Sequence, residues 1–397
     1  YGDPLLKDQD LVIEKFVSGL SLPTTMSFVG DDLLVLEKNT GKVRLVRDGI
    51  LQEKEILDLS VSNNSERGLL GITTENSTIY LYLTESTGDG KTPLGNRIYQ
   101  YTWNGNELVN PILIKDLPAT PGPNHDGGAM VTGLYGDVYA VIGDLNRNGV
   151  LQNYPSGEPD DTSVIIRIIP DDVYYAIGVR NSFGLAIDPV TGNLWDTENG
   201  QNDFDEINLV LQNFNSGWEK IMGPATEDDL SALPGFDAYV YSDPEFSWQE
   251  VVAPTALSFI DSDNLKAYQN SLFVGDCNYG NLYKFELNEN RDGFVFTDSN
   301  LSDNVANANE SLEEIVFGTG FGCITDMEIG PDGFLYIVSL SDGVIYKITP
   351  KTVTIMDKEI GFGEPPIVPI EYPIYGIVAA LIIIGIIYLV KSKNKKS

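Results

Sequence analysis

The chain reads as all-β: a six-bladed β-propeller whose ring is closed by an N-terminal strand, followed by one C-terminal transmembrane helix. Three observations predict this. A three-strand pattern recurs six times between residues 20 and 350, Gly/Pro/Asn/Asp turn signals separate the strands, and an uncharged aliphatic run precedes a terminal lysine cluster.

In each repeat an apolar strand and a turn lead to a second strand, and a third strand of alternating polarity follows. The second strands centre on Leu34-Val35-Leu36, Ile79-Tyr80-Leu81, Val138-Tyr139, Leu194-Trp195, Leu272-Phe273 and Leu335-Tyr336. The third strands centre on Val43 to Val46, Ile98 to Tyr101, Ile165 to Ile168, Ile207 to Leu209, Leu282 to Phe285 and Val344 to Lys347. Units of this size, with no comparably convincing amphipathic helix between them, suit a propeller better than a sandwich, because radial repetition leaves only short edges exposed. The strand Leu11-Val12-Ile13-Glu14-Lys15-Phe16-Val17 precedes the first unit and is predicted to become the outer strand of the last blade.

The propeller is assigned to residues 1–355 and a proline-rich stalk to 356–373. Residues 374–390 (IYGIVAALIIIGIIYLV) form the span, and 391–397 (KSKNKKS) a basic tail. By the positive-inside rule the lysines stay cytoplasmic and the propeller faces outward, a single-pass arrangement in the cell membrane. The sequons at Asn63, Asn76, Asn300 and Asn309 agree with an exported glycoprotein. Beginning at Tyr1 fits removal of an export signal.

The net charge is −33, and four of the 25 basic residues lie within the last seven positions. The other basic residues are far outnumbered by carboxylates, so no spare cations remain to neutralise a phosphate backbone and nucleic acid is not expected as a partner. Hydrophobic content of 42% is too high for a disordered acidic chain.

Only one histidine occurs, His125, in the loop Pro123-Asn124-His125-Asp126-Gly127-Gly128. A lone imidazole in a Gly-rich loop at a blade entrance is a candidate general base; the alternative is a surface-loop imidazole. Loops of the same register carry Gly143-Asp144, Gly178-Val179-Arg180-Asn181 and Glu198-Asn199-Gly200-Gln201 with Asp205-Glu206. An arginine near a histidine base could neutralise an anionic cofactor, and carboxylates with turn carbonyls supply the oxygen ligands that Ca²⁺ prefers.

These residues resemble the soluble aldose sugar dehydrogenases dependent on pyrroloquinoline quinone (PQQ) and their glucose dehydrogenase relatives. The motifs carrying the resemblance include Glu66-Arg67-Gly68-Leu69-Leu70-Gly71, Asn124 to Gly128, Ile142-Gly143-Asp144 and Gly178 to Ala186. Thr197 to Gly200, Asp205 to Asn208, Trp248 with Ala253-Pro254, and Gly330 to Gly333 complete them. The resemblance implies a six-bladed propeller that oxidises a sugar or another alcohol and hands electrons to an external acceptor. It implies that His125 takes the hydroxyl proton, that Asp144 orients it, and that Arg180, Asn181, Glu66 and Trp248 line the cofactor pocket. Gly200 and Gln201 would offer carbonyls to a cofactor-bound Ca²⁺, and Glu206 would bind a further Ca²⁺.

The chain departs from the family pattern at the cofactor. Cys323 and Thr325 replace two arginines, no lysine stands near Asp276-Cys277-Asn278, Glu66 stands near a family glutamine, Ser216 replaces a tyrosine and Gln201 a proline. The altered loops hold both cysteines, Cys277 and Cys323, which in an exported protein point to a disulfide, with two separate buried thiols as the alternative. Such a bridge would occupy space that belongs to cofactor recognition in the relatives. A non-catalytic surface propeller binding glycans or envelope proteins is therefore the competing reading. A hydrolytic propeller lactonase is disfavoured because the motif order follows the dehydrogenases.

Overall fold

The computed structural model describes residues 2–147, 160–235 and 238–351. The stalk, the span at 374–390 and the basic tail lie outside the described residues. Among the described residues no helix is long and apolar enough to cross a membrane.

The fold is an all-β propeller. Its six sheets have innermost strands Pro23–Val29, Leu69–Glu75, Met130–Thr132, Ser182–Ile187, Pro254–Phe259 and Ile324–Ile329. Each innermost strand touches the next in chain order, and the sixth touches the first, so the strands surround one axis. Leu11–Ser18 runs antiparallel to Val344–Pro350, with Leu11 opposite Pro350 and Ser18 opposite Val344. This pairing joins the two ends of the repeat array and covers an edge that would otherwise be open.

Period-two alternation buries both faces of each sheet against its neighbours. The result is six apolar clusters, one between each successive pair of sheets. Leu34, Val43, Leu69 and Leu81 fill the space between the first and second sheets, and Met26, Val35, Tyr336 and Val338 fill that between the sixth and first. The cluster between the fourth and fifth sheets is the most aromatic. There Phe246 meets Trp248 edge to face at 4.9 Å, and Phe285 lies 4.9 Å from Phe246. Full burial of side chains of this size contributes about 1.5–3 kcal/mol each.

Extra strands broaden the three-strand unit. Phe214–Asn215 and Val240–Tyr241 extend the third sheet, and Leu5–Leu6 joins the fifth. A short exposed helix, Glu227–Ala232, forms because Thr226 and Asp229 cap each other's backbone N–H groups. Of the four sequons, Asn76, Asn300 and Asn309 are exposed, whereas the Asn63 amide donates to the Asn39 carbonyl.

Inner strands begin, and second strands end, at the same end of the ring. His125 precedes the third inner strand and Arg180 the fourth, while Glu198 closes a second strand. Residues far apart in sequence therefore meet at one mouth of the channel.

Candidate functional site

The lone histidine sits in a loop that only glycines can complete. His125 itself has φ +63°, and Gly128 has φ +107° with its Cα so close to the second sheet that an added Cβ would lie 2.6 Å from Leu70 Cβ. We expect Gly128→Ala to destabilise the protein by about 2 kcal/mol or more, read as a lowered melting temperature in thermal unfolding.

His125 Nδ1 lies 2.5 Å from Asp144 Oδ1, and the other oxygen of Asp144 accepts the Trp218 indole N–H at 2.8 Å. The Asn146 N–H also reaches Asp144 Oδ1, at 3.0 Å. Burial acts to raise the Asp144 pKa, but His125, Trp218 and the Asn146 N–H together outweigh it and hold the carboxyl below its ordinary range. An ionised carboxylate on Nδ1 fixes the proton there in the neutral ring, leaving Nε2 with the lone pair of a base.

Arg180 completes the neighbourhood. Its carbonyl accepts the Asp144 N–H at 3.0 Å, and its guanidinium lies 5.2 Å over the Trp218 ring. Nη1 donates to the carbonyls of Asn199 (2.7 Å) and Gly200 (3.0 Å), while the Arg180 N–H goes to Glu198, a fully buried carboxylate also bonded to Ser216. Burial pushes Glu198 up to about 7. Glu66 ties the histidine loop to this group, accepting the His125 N–H at 2.5 Å. Burial raises Glu66, against the His125 N–H and the Asn181 amide that favour its charged form.

Beside this cluster lies a cavity of about 400 Å³, lined by Lys38, Glu66, Asn181, Asn199, Cys277 and Cys323 among others. The cysteines form a disulfide in its wall. Replacing both by serine reopens a loop with sequence separation 46 and should cost about 3–4 kcal/mol, measurable by denaturant titration.

His125, Asp144, Arg180, Asn181 and Glu66 thus converge. Trp248 does not join them: it is 1% exposed, packs between Phe246 and Tyr283, and borders a different hollow. It belongs to the apolar core because its strand turns it toward the fifth sheet. Gln201 is exposed, and Glu206 is the cross-strand partner of Glu198 on the same face of the fourth sheet, where its carboxylate accepts the Gly223 N–H at 2.5 Å. Sequence reasoning missed Trp218 and Lys38. The indole of Asn215-Ser216-Gly217-Trp218 was the available signal for the first; a lysine closing a strand offered none for the second.

The sequence matches the glucose/sorbosone dehydrogenase family over residues 20–347. The chain belongs to that family. Among curated proteins, this family member is 25% identical to Uncharacterized protein slr1608 of Synechocystis, over 81% of this chain and 82% of the relative. It is 24% identical to the aldose sugar dehydrogenase YliI of Escherichia coli, over 60% of this chain and 64% of that one. The fold matches the crystal structure of the soluble aldose sugar dehydrogenase of Escherichia coli in its apo form (TM-score 0.67, 20% identity, 86% of this chain and 100% of that chain). It also matches the PQQ-bound form of the aldose sugar dehydrogenase of Streptomyces coelicolor (TM-score 0.63, 20% identity, 85% and 98%).

The residues present do not fit a Ca²⁺-bound PQQ. PQQ carries three carboxylates, and Lys38 is the one cation among the described residues lining the cavity, with its ammonium already donating to Ser65 O and Asn39 Oδ1. Glu66 adds a carboxylate to the same wall. The Gly200 carbonyl accepts from the Arg180 guanidinium, whose positive charge opposes a second cation there, and among the described residues no three His, Cys, Asp or Glu side chains converge in metal-ligating geometry.

Proposed function

We propose that this member of the glucose/sorbosone dehydrogenase family is a surface-anchored sugar oxidoreductase. Its base is His125 and its positioning group is Asp144. The observation that carries the reading is the His125–Asp144–Trp218 chain of hydrogen bonds, which holds the imidazole in the tautomer a base requires. In the proposed reaction Nε2 takes the hydroxyl proton of a sugar as the carbinol carbon is oxidised, and Asp144 stabilises the imidazolium. The C–H bond of the carbinol carbon breaks with its electron pair, so that hydrogen leaves as hydride to an external two-electron acceptor while the C–O bond becomes a carbonyl. Relatives named as sugar dehydrogenases support the substrate class. The apolar run at 374–390 supports membrane attachment. The test is sugar-dependent reduction of a dye acceptor by the purified full chain, with and without added PQQ and Ca²⁺. Activity that disappears in His125→Ala supports the reading, and no turnover with any aldose under either condition rejects it.

The cation-poor wall favours a second reading, a propeller that binds sugars without oxidising them. That reading predicts saturable glycan binding, unchanged in His125→Ala, with no dye reduction.

A further inference from the structure

The two ends of the ring differ. One is the mouth that gathers His125, Asp144 and Arg180; the other carries the turns that join inner strands to second strands. In two neighbouring sheets these turns end in apolar residues, although turn tips ordinarily carry small or polar ones. The third sheet turns through Gly133-Leu134-Tyr135-Gly136, closed by the Gly136 N–H donating to Gly133 O at 3.1 Å, and Tyr135 at its tip is 93% exposed. The fourth turns through Asp188-Pro189-Val190-Thr191-Gly192, closed by the Gly192 N–H on Asp188 O at 2.8 Å, and Val190 is 70% exposed. The tips adjoin: a Cβ added at Gly192 would lie 3.5 Å from Cδ1 of the exposed Leu134.

The chain leaves the propeller at this end as well. Ile324–Ile329 starts at the mouth beside Cys323, Leu335–Ser339 returns to it, and Val344–Pro350 runs away from it again, antiparallel at each step. Lys351, whose N–H donates to the Asp10 carbonyl at 2.7 Å, therefore lies at the end opposite His125. It follows the sixth sheet, which stands across the axis from the third, so the exit and the apolar tips occupy opposite sides of one face. Residues 352–373 reach at most about 75 Å and precede the apolar run at 374–390. Such a tether alone permits any tilt.

We propose that the end of the propeller opposite His125 is a membrane-contact surface: Leu134, Tyr135 and Val190 seat in the interface of the bilayer that holds residues 374–390, and the mouth of the site faces away from it. A tyrosine at a turn tip suits the headgroup level, where its ring is buried and its hydroxyl stays wet, while leucine and valine bury their alkyl groups beside it. With the exit on one side of the face and the tips on the other, the ring is held at two points and the mouth opens to the outer medium. The contact is apolar rather than electrostatic. A chain of net charge −33 is repelled by anionic headgroups, and Glu75 stands beside the tip, its Oε1 2.8 Å from a Cβ added at Gly136. The proposal rests on the anchoring part of the preceding reading and needs no turnover.

The test is tryptophan quenching in the full chain reconstituted in neutral phosphatidylcholine vesicles with brominated acyl chains. All four native tryptophans are buried, so the parent chain supplies the background. Tyr135→Trp should add emission that the brominated lipid quenches. Tyr279→Trp, at an exposed position in the turn after the second strand of the fifth sheet and so on the mouth, should add emission that it does not quench. Adding Leu134→Ser and Val190→Ser to Tyr135→Trp should shift the contact equilibrium at least about ten-fold toward the unquenched state. Flotation of the vesicles reads the anchor separately. A chain that floats with Tyr135→Trp unquenched, with both positions quenched alike, or with stronger quenching on anionic than on neutral vesicles overturns the proposal and leaves the anchor standing. A chain that does not float sinks the anchor and the proposal with it. Unquenched emission with chains cross-linking in pairs through the same turn would assign the tips to a second copy and overturn the proposal too.

Discussion

His125→Ala is expected to abolish sugar-dependent dye reduction, lowering turnover by about 10²-fold or more while leaving the melting temperature nearly unchanged. The side chain is 7% exposed and its main polar partner is Asp144, so its removal leaves the inter-sheet cores intact. Asp144→Asn separates positioning from packing. An amide of the same shape can turn its oxygen to the Trp218 N–H and its NH₂ to the imidazole, which forces the proton onto Nε2 and removes the base. A loss of about 10² to 10⁴ in kcat with little change in KM is the expected result. Steady-state kinetics of both variants check this; turnover retained in either would contradict the assigned roles.

The second large effect is on stability. Asp196, Glu198 and Glu206 are all buried and share one face of the fourth sheet, with Glu198 directly opposite Glu206 and Asp196 two residues along the same strand. Burial lifts Glu198 to about 7, and burial with the Glu198 charge lifts Asp196 and Glu206 well above the ordinary carboxylate range. In the loop before the neighbouring third inner strand, burial lifts Asp126 to about 6. A carboxyl whose folded pKa exceeds its unfolded value binds more protons in the folded state between those two values. Its stabilising contribution is therefore complete below about pH 4 and is lost as pH rises through the folded pKa. Four such groups amount to several kcal/mol, at about 1.4 kcal/mol per pKa unit each. The melting temperature should be higher at pH 5 than at pH 8 by about 5 °C or more. A calorimetric series across this range checks the sign, and a melting temperature that rises toward pH 8 would contradict it.

The propeller was legible because its signal is repeated. Alternation in strands such as Val43 to Val46 and Val344 to Lys347 reports burial on both faces, and six copies of one pattern leave few alternative folds. The closing strand was legible for the same reason: Leu11 to Val17 has strand character and no partner nearby in sequence. The meeting of His125 with Asp144 and Arg180 followed once the ring was assumed, since His125 and Arg180 precede inner strands and Asp144 follows a second strand at the same end. Direction within a strand was harder. Trp248 stands one position from facing the other side of its sheet, and only the register with Asp205 shows that it turns to the core. The donor and acceptor state of the wall was not legible at all. A threonine in a strand looks the same whether its proton faces the channel or, as for Thr24 and Thr325, crosses to a neighbouring carbonyl.

The presence of a single histidine makes the central arrangement directly observable. Nitrogen-15 NMR of the imidazole in tag-free protein reports its tautomer and the Nδ1 hydrogen bond without overlap from any other residue. The account predicts one neutral ring protonated at Nδ1, with a strongly downfield Nδ1–H that is lost in Asp144→Asn and shifts when a neutral aldose is added. A ring protonated at Nε2, with solvent-like shifts that neither the variant nor any sugar moves, would contradict it.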